Sequence, residues 1–180
     1  MQNNLNVGVR ISGAVGSNQA NNSILEKYCY GDIDANCTST DPNGKVYGGL
    51  YQWDEAMQYV TTAGTQGICP AGFHIPTDAE YKTLEMSLGM SQATADTTGW
   101  RGTTEGTQLK SGGTSGFNGL LAGYRNTDGS FNSLSSNAYL WSSSESSTSA
   151  WKRNLSSGYA TVDRSTDGKG YGFSVRCLGN

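Results

Sequence analysis

Histidine occurs once in the 180 residues, proline three times, and no apolar stretch approaches the roughly 18 residues that cross a bilayer. Acid-base and nucleophilic chemistry usually draw on a histidine, a paired carboxylate or an activated thiol, so an enzyme is not expected and no catalytic residue is assigned. The single imidazole, His74, stands among turn and apolar residues in Cys69-Pro70-Ala71-Gly72-Phe73-His74-Ile75-Pro76, the setting of a structural histidine. A histidine-based metal site has no partner ligands, and neither metal nor cofactor is expected. Charged residues make up only 15%, the net charge is -3, and Lys and Arg form no run. That excludes a nucleic-acid partner, which needs a basic footprint, and disfavours acidic membrane surfaces. Direct membrane insertion is likewise not expected. The opening Met1-Gln2-Asn3-Asn4 lacks the basic and apolar regions of a signal peptide, so a targeting segment is expected to have been removed.

What the chain has instead is glycine, 25 residues of it, with abundant Ser, Thr and Asn. Such a composition favours turns and an extracellular setting, and it leaves little room for helix. At this length one globular domain over 1–180, acting as a monomer, is expected. Four cysteines, Cys29, Cys37, Cys69 and Cys177, form no close pair of the zinc or redox type, so two disulfides are expected. Of the three connectivities open to them, the expected one joins Cys29 to Cys37 and Cys69 to Cys177. The second bridge would close a loop of over 100 residues, which chain entropy values at roughly 4 to 5 kcal/mol.

Leu5, Val7, Val9 and Ile11 alternate with polar residues as in a half-buried strand, and Phe173, Val175 and Cys177 repeat the pattern at the other end. The two ends are therefore expected to pair. A first helix is expected over Leu50 to Tyr59, with Trp53, Met57 and Val60 on its apolar face and Gly64 as its stop. A second is marked by the capping box Thr77-Asp78-Ala79-Glu80, with apolar face Tyr81, Leu84 and Leu88 and Gly89 at its end. Short strands follow, including Gly119 to Arg125, Ala138 to Ser142 and Ser149 to Leu155. Trp100, Phe117, Tyr124, Trp141, Trp151 and Phe173 are the core candidates. The fold class read from this order is α+β, two helices on short antiparallel strands in a loop-rich chain. The acidic run Asp32-Ile33-Asp34-Ala35-Asn36 begins like a calcium loop, but Cys37 replaces the needed Gly and Asn43 the needed Glu, which leaves a solvated loop held by a disulfide.

The sequence resembles the Fibrobacter succinogenes major paralogous domain, a group of secreted bacterial domains. The resemblance rests on Asn4-Leu5-Asn6, Glu26-Lys27-Tyr28-Cys29-Tyr30, Tyr47-Gly48-Gly49-Leu50-Tyr51-Gln52-Trp53, Gly67-Ile68-Cys69-Pro70, Pro76-Thr77-Asp78-Ala79-Glu80, Leu140-Trp141-Ser142-Ser143 and Gly172-Phe173-Ser174-Val175-Arg176-Cys177. It implies a C-type-lectin-like fold on a cell, a secreted protein or a virus-like particle. Calcium-dependent lectins of that fold carry Glu-Pro-Asn or Gln-Pro-Asp with Trp-Asn-Asp, and none of these occurs here; nor do the cysteine pairs of formylglycine-generating enzymes. The scaffold is shared and the chemistry is not.

A narrower resemblance is to the variable proteins of diversity-generating retroelements, in which adenines of a template are randomised. An AAC codon changed at its adenines reaches Ser, Thr, Gly, Asp, Tyr, Ala and others, but not Lys, Glu, Gln, Met or Trp. Over 149–171, Ser156, Ser157, Gly158, Tyr159, Thr161, Asp163, Ser165, Thr166, Asp167, Gly168, Gly170 and Tyr171 fit this alphabet, and Asn154 stands as an unchanged codon. Lys152 lies outside it. Trp151, Arg153, Leu155, Val162 and Arg164 form the interleaved fixed frame. The expectation is an exposed stretch, 149–171, whose side chains at these positions together with Asn154 and Lys152 contact an unknown protein or surface macromolecule, with Tyr159 and Tyr171 as anchors. The alternative is an adhesin or structural domain with a fixed surface, marked by exposed aromatics in a row and fitted to polysaccharide.

Overall fold

A six-stranded sheet, ordered β4-β9-β8-β7-β5-β6, organises the chain. The computed structural model describes residues 3–180, so Met1 and Gln2 lie outside the described residues. In chain order the elements are β1 (Val9–Arg10), β2 (Glu26–Lys27), α1 (Asp34–Thr38), α2 (Trp53–Ala56), β3 (Phe73–His74), α3 (Asp78–Ser87), α4 (Gln92–Asp96), β4 (Gly99–Arg101), α5 (Glu105–Leu109), β5 (Ala122–Arg125), β6 (Phe131–Leu134), β7 (Asn137–Ser146), β8 (Ser149–Ser156), β9 (Val162–Gly168) and β10 (Leu178–Gly179). This is a mixed α+β fold with few long helices and several sheets. β5 runs parallel to β7, and the other pairings in the large sheet are antiparallel. Gly123 sits where β5 passes between its neighbours at φ +67, with the carbonyl of Asn132 only 2.4 Å from where a Cβ would stand, so the crossing needs glycine.

Helix α3 is the only α-helix longer than five residues among the described ones, and its start follows the capping box. Thr77 Oγ accepts the amide of Glu80 at 3.1 Å, and Glu80 Oε2 accepts the amide of Thr77 at 2.8 Å. His74 continues the chain of contacts, with Nε2 2.9 Å from Glu80 Oε1 and Nδ1 2.6 Å from Asn180 Oδ1. The hydrogen bond that the imidazole donates to Asn180 Oδ1 raises it above its ordinary range, and Glu80 adds to it. The imidazole is thus a structural link between α3 and the chain end.

Two apolar clusters lie on opposite sides of the sheet. One gathers Trp53, Met57, Ile75, Trp141, Phe173 and Val175. Its two indoles cross-brace the strands, Trp53 donating to the carbonyl of Ser142 and Trp141 to that of Tyr51, both at 2.8 Å. The other joins Leu109, Ala138, Leu155 and Val162, with Leu84 and Leu88 of α3 beside them. The disulfides are Cys29–Cys37 and Cys69–Cys177, and together they take up all four cysteines.

Several expectations need correction. Five short helices replace two, because α1, α4 and α5 were not seen, and β7 at ten residues is not a short strand. The expected helix from Leu50 shrinks to Trp53–Ala56, since Leu50 and Tyr51 exchange backbone bonds with Tyr28 and Phe173 and are extended. Val60 is exposed. The terminal strands do not pair as a ladder: β1 runs parallel to β2, and β10 pairs with β3. The ends still touch, through Leu5 N to Val175 O at 2.9 Å and Asn4 Nδ2 to Ser174 Oγ at 3.1 Å. Val9 is exposed, whereas Phe173 to Cys177 are buried on both sides rather than alternately. The acidic run is largely exposed and held by the Cys29–Cys37 disulfide as expected, but it enters the short helix α1, Asp32 accepts the amide of Gly13 at 2.6 Å and Arg10 pairs with Asp34.

Candidate ligand-binding face

β8 and β9 form an antiparallel hairpin in the register Trp151 with Thr166, Lys152 with Ser165, Arg153 with Arg164 and Asn154 with Asp163. Side chains alternate between the faces of a strand, and paired residues share a face, so this register sorts the whole region. Lys152, Asn154 and Ser156 share one face with Asp163, Ser165 and Asp167. Trp151, Arg153 and Leu155 share the other with Val162, Arg164 and Thr166. The frame read from the sequence is therefore one face of the hairpin; six of the fourteen candidate contact residues form the opposite one, and Thr166 falls on the frame face.

The frame face packs on α3 through a buried ionic cluster. Asp78 Oδ1 accepts Arg153 Nη1 at 2.8 Å and Arg164 Nε at 2.9 Å, and Asp78 Oδ2 accepts Arg164 Nη2 at 2.7 Å. Glu85 takes Arg153 Nε at 2.6 Å and also pairs with Arg101 of β4. Although burial works against ionisation, the two guanidinium groups hold the Asp78 carboxyl below its usual range. Arg164 also lies 3.9 Å over the Trp151 ring, and Arg153 5.2 Å over that of Tyr81. Charge-assisted, forked bonds of this kind fix the angle between helix and hairpin.

The opposite face is polar and organised around Lys152. Its ammonium donates to Asp163 Oδ2 at 2.9 Å, lies 3.6 Å from Asp167 Oδ2, and sits 5.1 Å over the ring of Tyr139. Burial raises the Asp167 carboxyl above its ordinary range, and the pull of Lys152 only partly offsets it. Asn154 accepts from Asn137 at 3.1 Å, and Ser165 donates to Asp163 at 2.7 Å. The expectation of a wholly exposed stretch does not hold here: Lys152, Asn154, Ser156 and Asp163 are each no more than 9% exposed. They satisfy one another and form a floor. Thr161, Ser165, Thr166, Asp167, Gly170 and Tyr171 are half-buried, and Ser157, Gly158, Tyr159 and Gly168 are exposed.

Aromatic rings bound this floor on two sides. Trp100 of the edge strand β4 is in register with Asp163, which faces Asn154, which faces Tyr139, so one line of side chains crosses four strands. Trp100 is 40% exposed and packs on Tyr159, itself 55% exposed, with ring centres 4.5 Å apart. At the far side Tyr124 meets Tyr139 edge-on at 4.8 Å, and Tyr171 lies 6.2 Å away. Trp100 was expected in the core; as the outward residue of an edge strand it has no layer to cover it. Phe117, Tyr124 and Trp151 are half-buried, and only Trp141 and Phe173 of the six core candidates are fully buried. Trp100, Tyr139 and Asn137 are the members of this face that the sequence reading did not assign, because each lies outside 149–171. Among the described residues no group of His, Cys, Asp and Glu is arranged to hold a metal ion, and no helix is long and apolar enough to cross a membrane.

The family model of the Fibrobacter succinogenes major domain matches residues 1–178. No curated protein and no solved structure matches the chain.

Proposed function

Because the chain belongs to the Fibrobacter succinogenes major domain family, we propose that it is one secreted module of C-type-lectin-like fold that binds a protein or other macromolecule through the outward face of the β8–β9 hairpin, and that this face is diversified as in a retroelement variable protein. The observation that carries the reading is the sorting by strand parity. Candidate contact residues stand opposite the frame at Asn154, Ser156, Asp163, Ser165 and Asp167 and continue through the turn at Ser157, Gly158, Tyr159 and Thr161, with Thr166 the exception on the frame face, whereas Trp151, Arg153, Leu155, Val162 and Arg164 point into the ionic and apolar packing under α3. Substitutions in the exposed turn at Ser157, Gly158 and Tyr159 change stability by about 0.5 kcal/mol or less, whereas removing a buried charge partner such as Asp78 costs about 3 to 5 kcal/mol. The scaffold thus separates what can vary from what must stay. Lys152 is outward yet buried and outside the alphabet, and serves as a fixed post of the floor. With Asp163 and Asp167 both beside it, a change at either leaves the ammonium a carboxylate. Two disulfides suit an oxidising, extracellular compartment.

The exposed aromatic pair favours a second reading. Trp100 belongs to a strand outside 149–171 and supplies a fixed contact beside the turn, as a polysaccharide-binding adhesin would use. Sequencing the gene across its source population separates the two. Diversification predicts substitutions at the outward and turn codons with none at Trp151, Arg153, Leu155, Val162 and Arg164. Uniform codons, or changes spread evenly over both faces, overturn it and leave the fixed adhesin.

A further inference from the structure

A second site lies beside the β8–β9 turn, and its walls are almost entirely outside the candidate variable stretch. It is a cavity of about 530 Å³, a size ordinary for small-ligand pockets, and Ser157 is its one contribution from the hairpin.

The charged groups there are in different states. Asp41 is already occupied, its Oδ1 accepting the amides of Asn43 at 3.0 Å and Lys45 at 2.8 Å, with the hydroxyl of Ser111 as a further donor. Lys110 is not. It follows the last turn of α5, and its ammonium donates to two carbonyls, those of Ser156 and Tyr159, each at 2.8 Å. No carboxylate pairs with it among the described residues, and an ammonium has three N–H donors, so one remains. Around it the hydroxyls of Thr107, Ser135 and Ser157 bond no side chain or backbone group of the described residues, and Tyr47 and Leu121 add apolar surface.

We infer that this cavity binds a saccharide unit bearing a carboxylate. The free N–H of Lys110 supplies one charge-assisted bond to that carboxylate, the loose hydroxyls match sugar hydroxyls, and Tyr47 with Leu121 meets the C–H surface of a ring. A wholly apolar ligand would strand the hydroxyls, and a neutral sugar would leave the cation without its counter-charge. Lys110 also anchors the carbonyls on both sides of Ser157-Gly158, so the fixed site borders the proposed contact face without depending on it.

The test is an NMR titration of the ¹⁵N-labelled chain with digalacturonate and with its neutral counterpart galactobiose. Digalacturonate is expected to shift the amides of Lys110, Ser111 and Gly113, and galactobiose to bind at least about tenfold more weakly, the scale of one bond to a charged group. Lys110→Gln should lose that preference. Since Lys110 also holds the turn, Thr107→Trp provides a second arm: it fills the cavity from an exposed position on α5 and should abolish the shifts in a folded protein. Equal affinity for the two disaccharides, no shifts with digalacturonate, or unchanged binding by Thr107→Trp would each overturn the assignment.

Discussion

Asp78→Asn probes the ionic frame under the hairpin. The substitution keeps the size and one acceptor oxygen of the side chain but removes the charge that faces two arginines. In the native protein two carboxylates, Asp78 and Glu85, serve three guanidinium groups, those of Arg101, Arg153 and Arg164. Arg153 keeps Glu85 in the variant. Arg164 does not, since its other partners are the carbonyls of Asp96 and Thr97 at 3.0 and 3.3 Å. Its side chain is only 9% exposed, so the charge is left in a poorly solvated place. Breaking a buried pair from one side costs about 3 to 5 kcal/mol. For a chain of this length each kcal/mol moves Tm by about 2 to 4 °C, so the variant should melt about 6 to 20 °C lower. Thermal unfolding followed by circular dichroism under non-reducing conditions measures it, with Ser157→Ala in the exposed turn as a control expected within about 0.5 kcal/mol of wild type. A melting point within 2 °C or so of wild type would refute the argument: the frame would then be held by apolar packing alone. Acid should act in the same direction. A carboxyl held below its ordinary range stabilises the fold above the unfolded-state value, near pH 4, and that contribution is lost as pH falls through the folded-state value.

The two disulfides should differ in worth. The chain-entropy estimate is about 4.8 kcal/mol for the 108-residue loop of Cys69–Cys177 and about 2.5 kcal/mol for the 8-residue loop of Cys29–Cys37. Denaturant unfolding of the paired Cys→Ala variants should rank them in that order, and the reverse order would show that local strain or packing decides. For His74, a folded-state value above about 6.5 means stabilisation that is complete below that pH and lost as pH rises through the raised value. An NMR titration should place the imidazole midpoint above 6.5 and lower it in Glu80→Gln; a wild-type midpoint at or below 6.5 would contradict the link to Asn180 and Glu80. Tyr159→Ala should leave Tm nearly unchanged, whereas Tyr171→Ala should lower it because that ring stacks on the buried Phe173; the two together should weaken capture of a ligand identified from the native surface at least tenfold, and unchanged capture would move the contact elsewhere.

Helix α3 was readable because its signal is local: Thr77 and Glu80 answer each other within one turn. The strand at Ser149 to Leu155 was readable too, whereas its partner Val162–Gly168 was not, since polar and apolar residues there serve two covered faces. Trp53, Met57 and Val60 misled because what decides there is not local. Their spacing suits a helix, yet Leu50 and Tyr51 are claimed by strand partners from residues 28 and 173, far away in sequence. Leu5 and Val9 alternate alike and both bond a neighbour through the backbone, Leu5 to Val175 and Val9 to Leu25, but only the side chain of Leu5 is buried. Trp100 and Lys110 carry no local mark of their positions either. One is exposed because its strand is an edge, and the other is placed at a cavity by a turn some 50 residues downstream.

Parity also restricts how this surface can evolve. Shifting a strand by one residue carries every side chain to the other side. One codon inserted or lost within β8 would turn Arg153 outward and drive Lys152 or Asn154 toward Asp78 and Glu85, so a single length change would undo both surfaces at once. Variation compatible with this hairpin is therefore replacement at constant length along Ser149–Ser156 and Val162–Gly168, and only the turn between them, 157–161, has room to grow or shrink.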